Sequence, residues 1–317
     1  MANLSWIGVY PALLTPFKHN EEIDLDLFAL NMKAQIEAGV DGIVIGGSLG
    51  EASTLQNSEK NQLALYAKKI CGSHLPVIVN IAEQSTRSAI QAAEEAGQNG
   101  ADGLMLLPPM RYSADARETV EYFKAVATSS SLPIMIYNNP VDYKILVTLD
   151  MFAELAAFPN IQAVKESTRD ISNVTRMFNR FGNRFKILTG VDPLAFESLA
   201  AGADGWVAGL VDAFPRETVA IFRLTKAGKL KEALDIYRWF LPLLELDIHP
   251  KLVQYIKLAA QATGIGSEYV RAPRLLLEGE ERNRVVRIIE TALANRPALP
   301  EYLHLKNIAL QAMENQS

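Results

Sequence analysis

Two kinds of segment alternate along the chain. Short, nearly uninterrupted apolar runs lie at residues 8–15, 42–46, 76–81, 103–107, 133–137, 161–167, 185–189 and 206–210. Between them apolar residues recur every three or four positions, as Leu27, Leu30 and Ala34 do within 24–38. The first kind reads as strand buried on both faces, the second as amphipathic helix. Helices are expected at 24–38, 58–70, 85–99, 115–129, 149–157, 170–181 and 193–201, with Asp24 and Ser85 placed to cap and Pro193 in a first turn. Pro11 sits awkwardly inside the first run, since it brings no N–H to a ladder. Eight strand–helix units in succession predict an α/β fold, a closed (β/α)8 TIM barrel rather than an open doubly wound sheet.

A short echo marks three helix-to-strand passages: Ala38-Gly39-Val40-Asp41-Gly42, Asn99-Gly100-Ala101-Asp102-Gly103 and Ala201-Gly202-Ala203-Asp204-Gly205. Glycine at a helix end followed by an aspartate turn is connection chemistry, so the echo reads as structural. Beyond the eighth strand the pattern turns helical throughout, at 215–227, 230–246, 251–263, 280–294 and 302–313. The expected division is a catalytic barrel over 1–224 and a C-terminal helical region over 225–317.

Composition narrows the function. Hydrophobic residues make up 49 % of the 317, enough for a large core. The net charge of −5 argues against a nucleic-acid partner. Cys71 is the single cysteine, and with four scattered histidines it offers no metal-ligand spacing. The start of the chain lacks the features of a signal peptide, and no apolar run reaches the roughly 18 residues of a membrane span. A cytoplasmic protein without membrane contact, metal or separate cofactor is expected.

In such barrels the chemistry sits at the C-terminal strand ends. Those ends present Thr15, the loop Gly46-Gly47-Ser48-Leu49-Gly50-Glu51, Pro108-Pro109, Tyr137-Asn138-Asn139, Lys165, Gly190-Val191-Asp192 and Gly209. Lys165 is the one lysine among them. Buried among apolar residues, its amine would lose its proton readily and attack a carbonyl; reaching neutral pH means disfavouring the ammonium by about 4 kcal/mol. Strand alternation turns Glu166 away from the mouth if Lys165 faces it. Tyr137 ends the neighbouring strand, where its phenol serves either as proton relay or as a rim aromatic. The glycine loop offers backbone N–H groups and a hydroxyl to one carboxylate. Gly190 and Gly209 follow the strands after which many barrels bind phosphate, a rival reading.

Gly47-Ser48-Leu49-Gly50-Glu51, Tyr137-Asn138-Asn139-Pro140 and Val164-Lys165-Glu166-Ser167 together resemble the dihydrodipicolinate synthase / N-acetylneuraminate lyase family over nearly the whole chain. The resemblance implies a covalent lysine imine as the only cofactor chemistry, a small 2-oxo acid or cyclic imine carboxylate as ligand, and a homotetramer. It makes Lys165 the Schiff-base lysine and Tyr137 the relay phenol, with Ser48 and the Leu49 amide at the carboxylate position. Gly47, Asn139, Gly190 and Val207 are expected around the substrate.

Three positions depart from the synthase branch of that family. Leu49 stands where a second hydroxyl residue is usual, Arg111 near the place of an interface tyrosine, and Asp142 where an arginine holds the second substrate's carboxylate. Arg111 and Asp142 read either as substrate contacts or as a salt bridge shaping the pocket. Losing a relay hydroxyl and inverting a charge argue against dihydrodipicolinate synthesis. The motifs at 108–113, 136–143, 205–210 and 249–257 resemble instead the branch that deaminates Δ1-pyrroline-4-hydroxy-2-carboxylate in hydroxyproline degradation. That reaction, a hydrolytic deamination through a lysine imine, is the expectation from sequence, with a class I aldolase of 4-hydroxy-2-oxoglutarate or a 2-keto-3-deoxy sugar acid, or dihydrodipicolinate synthase, as alternatives.

Overall fold

The computed structural model describes residues 4–109 and 112–300. Eight parallel strands appear where the apolar runs predict them: β1 (Gly8–Pro11), β2 (Ile43–Ile45), β3 (Val77–Ile81), β4 (Gly103–Leu106), β5 (Ile134–Asn138), β6 (Ile161–Glu166), β7 (Lys186–Thr189) and β8 (Gly205–Ala208). Their order around the sheet is β1-β8-β7-β6-β5-β4-β3-β2. A parallel bridge from Ala12 to Val44, with Leu13 N–H donating to the Val44 carbonyl at 2.9 Å, closes β1 onto β2. The molecule is a (β/α)8 barrel with further helices at its C-terminal end.

The helices are α1 (Leu25–Ala38), α2 (Asn57–Cys71), α3 (Thr86–Gln98), α4 (Ala116–Ser129), a single turn α5 (Pro140–Tyr143), α6 (Leu149–Leu155), α7 (Ser172–Phe181), α8 (Ala195–Ala200), α9 (Pro215–Lys226), α10 (Leu230–Leu244), α11 (Leu252–Ala262) and α12 (Gly279–Ala294). Local chemistry sets their starts. The carboxylate of Asp24 accepts from Leu27 N–H, the Ser85 hydroxyl accepts from Ser88 N–H, and Asp115 forms a reciprocal capping box with Glu118. The helix expected at 302–313 lies outside the described residues. Pro11 is kept within β1 because the strand is four residues long and the proline is its last.

The repeated Gly-x-Asp-Gly passages share one structural task. Asp41, Asp102 and Asp204 each grip one residue of the preceding strand at two points. Their N–H groups donate to the carbonyls of Val9, Val77 and Ile187 at 2.8, 2.8 and 2.6 Å. Their carboxylates accept from the N–H groups of the same three residues at 2.8, 3.0 and 2.9 Å. Gly39, Gly100 and Gly202, two residues earlier, adopt left-handed φ values of 84°, 83° and 114°, which only glycine takes without strain.

The C-terminal helices lie against the barrel. Trp239 Nε1 of α10 donates to the Ala292 carbonyl of α12 at 2.9 Å, and Arg296 pairs with Glu217 of α9 at 2.6 Å. A short 3-10 segment, Glu245–Ile248, links α10 to α11 and brings this region to the barrel mouth.

Candidate active site

The strand alternation sorts β5 and β6 into two faces. Tyr137 and Lys165 are register partners, as are Asn138 and Glu166. Tyr137 and Lys165 turn into a cavity at the C-terminal end of the barrel. Asn138 and Glu166 face outward and fix the surrounding loops. Asn138 donates to and accepts from the backbone of Val147, while Glu166 accepts from Thr168 N–H and Asn173 Nδ2. Glu166 is thus not the partner of Lys165.

Lys165 is 7 % exposed, and its Nζ lies 4.2 Å from the centroid of the Tyr137 ring. Burial pulls its pKa down, against the opposing pull of Tyr143, Asp247, Asp192 and Asp142. A buried amine that sheds its proton readily is the state that attacks a carbonyl. Burial pushes the Tyr137 phenol up to about 12, so it stays protonated and able to donate. Asn139 Nδ2 donates to the phenol oxygen at 3.2 Å and to the Asp142 carboxylate at 2.7 Å. Its Oδ1 caps the α5 turn by accepting from Asp142 N–H at 3.1 Å. With its oxygen held by Asn139, the phenol keeps its own proton for another acceptor.

Gly47, Ser48, Leu49, Tyr137, Asn139, Asp142, Lys165, Gly190 and Val207 all border this one cavity. Arg111 lies outside the described residues. Gly190 has a steric reason to be glycine: a Cβ there would come 2.3 Å from Ser167 Oγ and 2.5 Å from Lys165 Cε. That close approach to the lysine stem accounts for the glycine without a bound phosphate. Gly209 is constrained likewise, with a Cβ falling 2.7 Å from Asp247 Oδ1.

Three polar cavity residues, Tyr143, Arg169 and Asp247, escaped the sequence reading. Tyr143 ends the α5 turn, its hydroxyl hydrogen-bonded to Ser48 Oγ and its ring edge-on to Tyr137 at 5.4 Å between centroids. The signal was present: Asn139-Pro140-Val141-Asp142 is a capped helix start, and one turn carries residue 143 back over the site. Asp247 arrives from the segment after α10 and borders the cavity, with burial and the neighbouring Asp192 raising its pKa well above the usual carboxylate range. Asp192 is fully buried and accepts from Trp206 Nε1, Gly209 N–H and Leu210 N–H at 2.9, 3.1 and 2.7 Å. Ser167 and Arg169, just past β6, complete the wall. Among the described residues no group of three or more His, Cys, Asp or Glu is placed to hold a metal ion. None of the described helices is long and apolar enough to cross a membrane.

A barrel with a buried lysine at the end of β6 and a phenol at the end of β5 defines a class I, lysine-imine enzyme. The Dihydrodipicolinate synthetase family model matches residues 5–292, and the chain belongs to that family. It is 31 % identical to the 4-hydroxy-tetrahydrodipicolinate synthase of Kosmotoga olearia over 283 residues, 88 % of this chain and 95 % of the relative. The enzyme of that name from an Exiguobacterium species is 32 % identical over 273 residues, 85 % of this chain and 91 % of the other. The crystal structure of dihydrodipicolinate synthase from Aquifex aeolicus superposes with a TM-score of 0.86 at 28 % identity, covering 92 % of this chain and 99 % of that one.

These relationships overturn the deaminase expectation, and with it the hydrolytic reaction and the place in hydroxyproline degradation. The relatives compared are synthases, and none of them is a deaminase of a pyrroline carboxylate. The physical error lay in counting hydroxyls by sequence position. Leu49 does remove one from the glycine loop, but the Tyr143 hydroxyl sits against Ser48 in its stead. Asp142 does replace a cation, yet its carboxylate is engaged by Asn139 in the α5 turn.

Proposed function

We propose that the protein joins a 2-oxo acid such as pyruvate to an aldehyde through an imine at Lys165, the carbon–carbon bond formation for which its relatives are named. The observation that carries this reading is the buried Lys165 amine against the Tyr137 ring. The Lys165 amine adds to the 2-oxo carbon, and the carbinolamine loses its hydroxyl as water with a proton supplied by Tyr137. The imine then withdraws electrons, so that the Tyr137 phenolate left by that step takes a methyl proton and an enamine forms. The enamine carbon attacks the aldehyde, and the new alkoxide takes a proton relayed through Tyr137, Tyr143 and Ser48. The glycine loop, with Ser48 and the Leu49 amide, holds the 2-oxo acid's carboxylate.

The acceptor follows from the product's chemistry. A 4-hydroxy six-membered ring imine with two carboxylates results when pyruvate adds to a four-carbon 2-amino acid bearing a terminal aldehyde, aspartate 4-semialdehyde. Its amino group displaces Lys165 from the imine carbon, closing the ring and freeing the enzyme.

Borohydride reduction in the presence of pyruvate tests the lysine imine. Peptide mass mapping should find the reduced pyruvate adduct on Lys165, and Lys165→Ala protein should carry none. An adduct elsewhere, or no adduct, sinks the reading. Pyruvate consumption with aspartate 4-semialdehyde, set against pyruvate release from 4-hydroxy-2-oxoglutarate, separates synthase from aldolase; faster turnover of the second would reassign the acceptor.

A further inference from the structure

Resting on that reading, we infer that Arg169 is a specificity-determining residue that grips the carboxylate of the acceptor aldehyde. Arg169 borders the same cavity as Lys165 and is exposed at its rim. Its φ of 63° places a non-glycine residue in the left-handed region, where only glycine is at ease. The turn that imposes this is fixed on both sides. Thr168 N–H donates to Glu166 Oε1 at 2.8 Å, and Asp170 N–H donates to Thr168 Oγ1 at 3.2 Å.

Neighbouring charge does not occupy the guanidinium. Asp170, the adjacent acid, is taken by Arg176 at 2.7 Å and by the Ser172 hydroxyl. Among the described residues no hydrogen bond or ion pair engages the Arg169 side chain. Among the described residues, Lys165 is the other cation bordering the cavity, and its amine is reserved for the imine. Asp142 borders the cavity too, with its side chain already held by Asn139. A rim with an unengaged planar cation suits an acceptor bearing a carboxylate. Arginine presents a fork of N–H donors that matches a carboxylate in two parallel bonds. The sequence position that usually carries the carboxylate-holding cation is acidic here, and Arg169 supplies the missing charge from the neighbouring strand end.

The test uses Arg169→Ala, Arg169→Lys and Arg169→Gly protein. The glycine variant relieves the left-handed backbone, so loss of fold cannot explain its behaviour. In Arg169→Ala and Arg169→Gly the KM for aspartate 4-semialdehyde should rise on the order of 10- to 100-fold, with the lysine variant intermediate. The KM for 3-aminopropanal, the same aldehyde without its carboxylate, should stay within about twofold, as should the yield of reduced pyruvate adduct. Equal losses on both aldehydes, or no loss on the first, would overturn the inference. A readout independent of the imine is calorimetric binding of glutarate and acetate. Arg169→Ala should weaken glutarate at least about tenfold and leave acetate unchanged. If pyruvate gives no adduct but glutarate still depends on Arg169, the proposed reaction falls and the carboxylate grip stands. An adduct that forms while glutarate binding ignores Arg169, or glutarate failing to bind at all, removes the grip and leaves the reaction in place.

Discussion

At the scale of single residues, the site depends on how the Lys165 stem is threaded. Its methylenes pass so close to Gly190 that a methyl group there would meet Cε at 2.5 Å. The neighbouring atoms belong to flexible side chains, so the barrel can accept alanine while the lysine cannot keep its place. Gly190→Ala protein should therefore fold with an unchanged circular dichroism spectrum and lose on the order of 100-fold in the rate of pyruvate imine formation, the usual penalty for moving a reacting atom by about 1 Å. The pH profile gives a second readout. Burial lowers the Lys165 pKa below the ordinary lysine value of 10.5, and the neutral amine is the nucleophile, so the rate rises with pH through that lowered value. Pushing the amine toward water in Gly190→Ala should move this acid limb to higher pH. A variant with wild-type rate and limb would show that Gly190 does not position the lysine.

At the scale of elements, the repeated aspartates of the connecting turns hold the strands in register. Asp102 is 2 % exposed, and its carboxylate serves both Val77 N–H at 3.0 Å and Lys68 Nζ at 2.6 Å. Asp102→Ala leaves a buried strand N–H without its acceptor and should cost about 1–3 kcal/mol in urea unfolding, whereas Asp102→Asn, which keeps an oxygen there, should cost less. Equal losses in the two variants would mean that charge, not the hydrogen bond to β3, is what counts. Elements of this kind were legible in the sequence because their causes are local. The apolar runs fell on the eight strands, Asp24 and Ser85 capped the helices they precede, and the register of β5 and β6 put Tyr137 beside Lys165. What stayed hidden was set by distance along the chain or by backbone shape. Asp247 reaches the cavity from the far side of α10, and no periodicity marks it. Tyr143 depends on a single helical turn too short to show a period. Arg169 sits in a conformation that sequence patterns assign to glycine. The branch assignment failed for the same reason: it read Leu49 as a lost hydroxyl because the replacement came from 94 positions later, at residue 143.

At the scale of the whole molecule, the C-terminal helices are fastened to the loop that forms one wall of the site. Lys257 of α11 is 1 % exposed and pairs with Glu51, itself wholly buried at the end of the glycine loop, at 2.5 Å. Its ammonium also donates to the Tyr269 carbonyl at 2.6 Å and lies 4.5 Å from the centre of the Phe17 ring. Glu51 is held in a left-handed conformation, φ 57°, and accepts from Arg271 N–H at 3.2 Å, while the Arg271 side chain grips Glu59 at 2.8 and 2.9 Å. Burial lowers the Lys257 pKa to about 8, a sign that desolvation of the ammonium outweighs the help it receives from Glu51. A buried pair of this kind adds little net stability, but removing Lys257 leaves the buried Glu51 charge to the longer pair with Arg274 at 3.5 Å. Lys257→Met should thus lower the unfolding free energy by about 3–5 kcal/mol, and the double variant Glu51→Gln/Lys257→Met should recover part of that loss. The glycine loop ends on Glu51, so the single variant should also raise the half-saturating pyruvate concentration for imine formation, and the double variant should recover less of this than of the stability. Arg296→Ala, which leaves the buried Glu217 carboxylate of α9 without its partner, is the contrast: it should also cost stability, about 1–3 kcal/mol, but leave pyruvate affinity alone. If Arg296→Ala disturbed pyruvate binding as much as Lys257→Met, the coupling would run through the appended helices as a body and not through the Lys257–Glu51 contact.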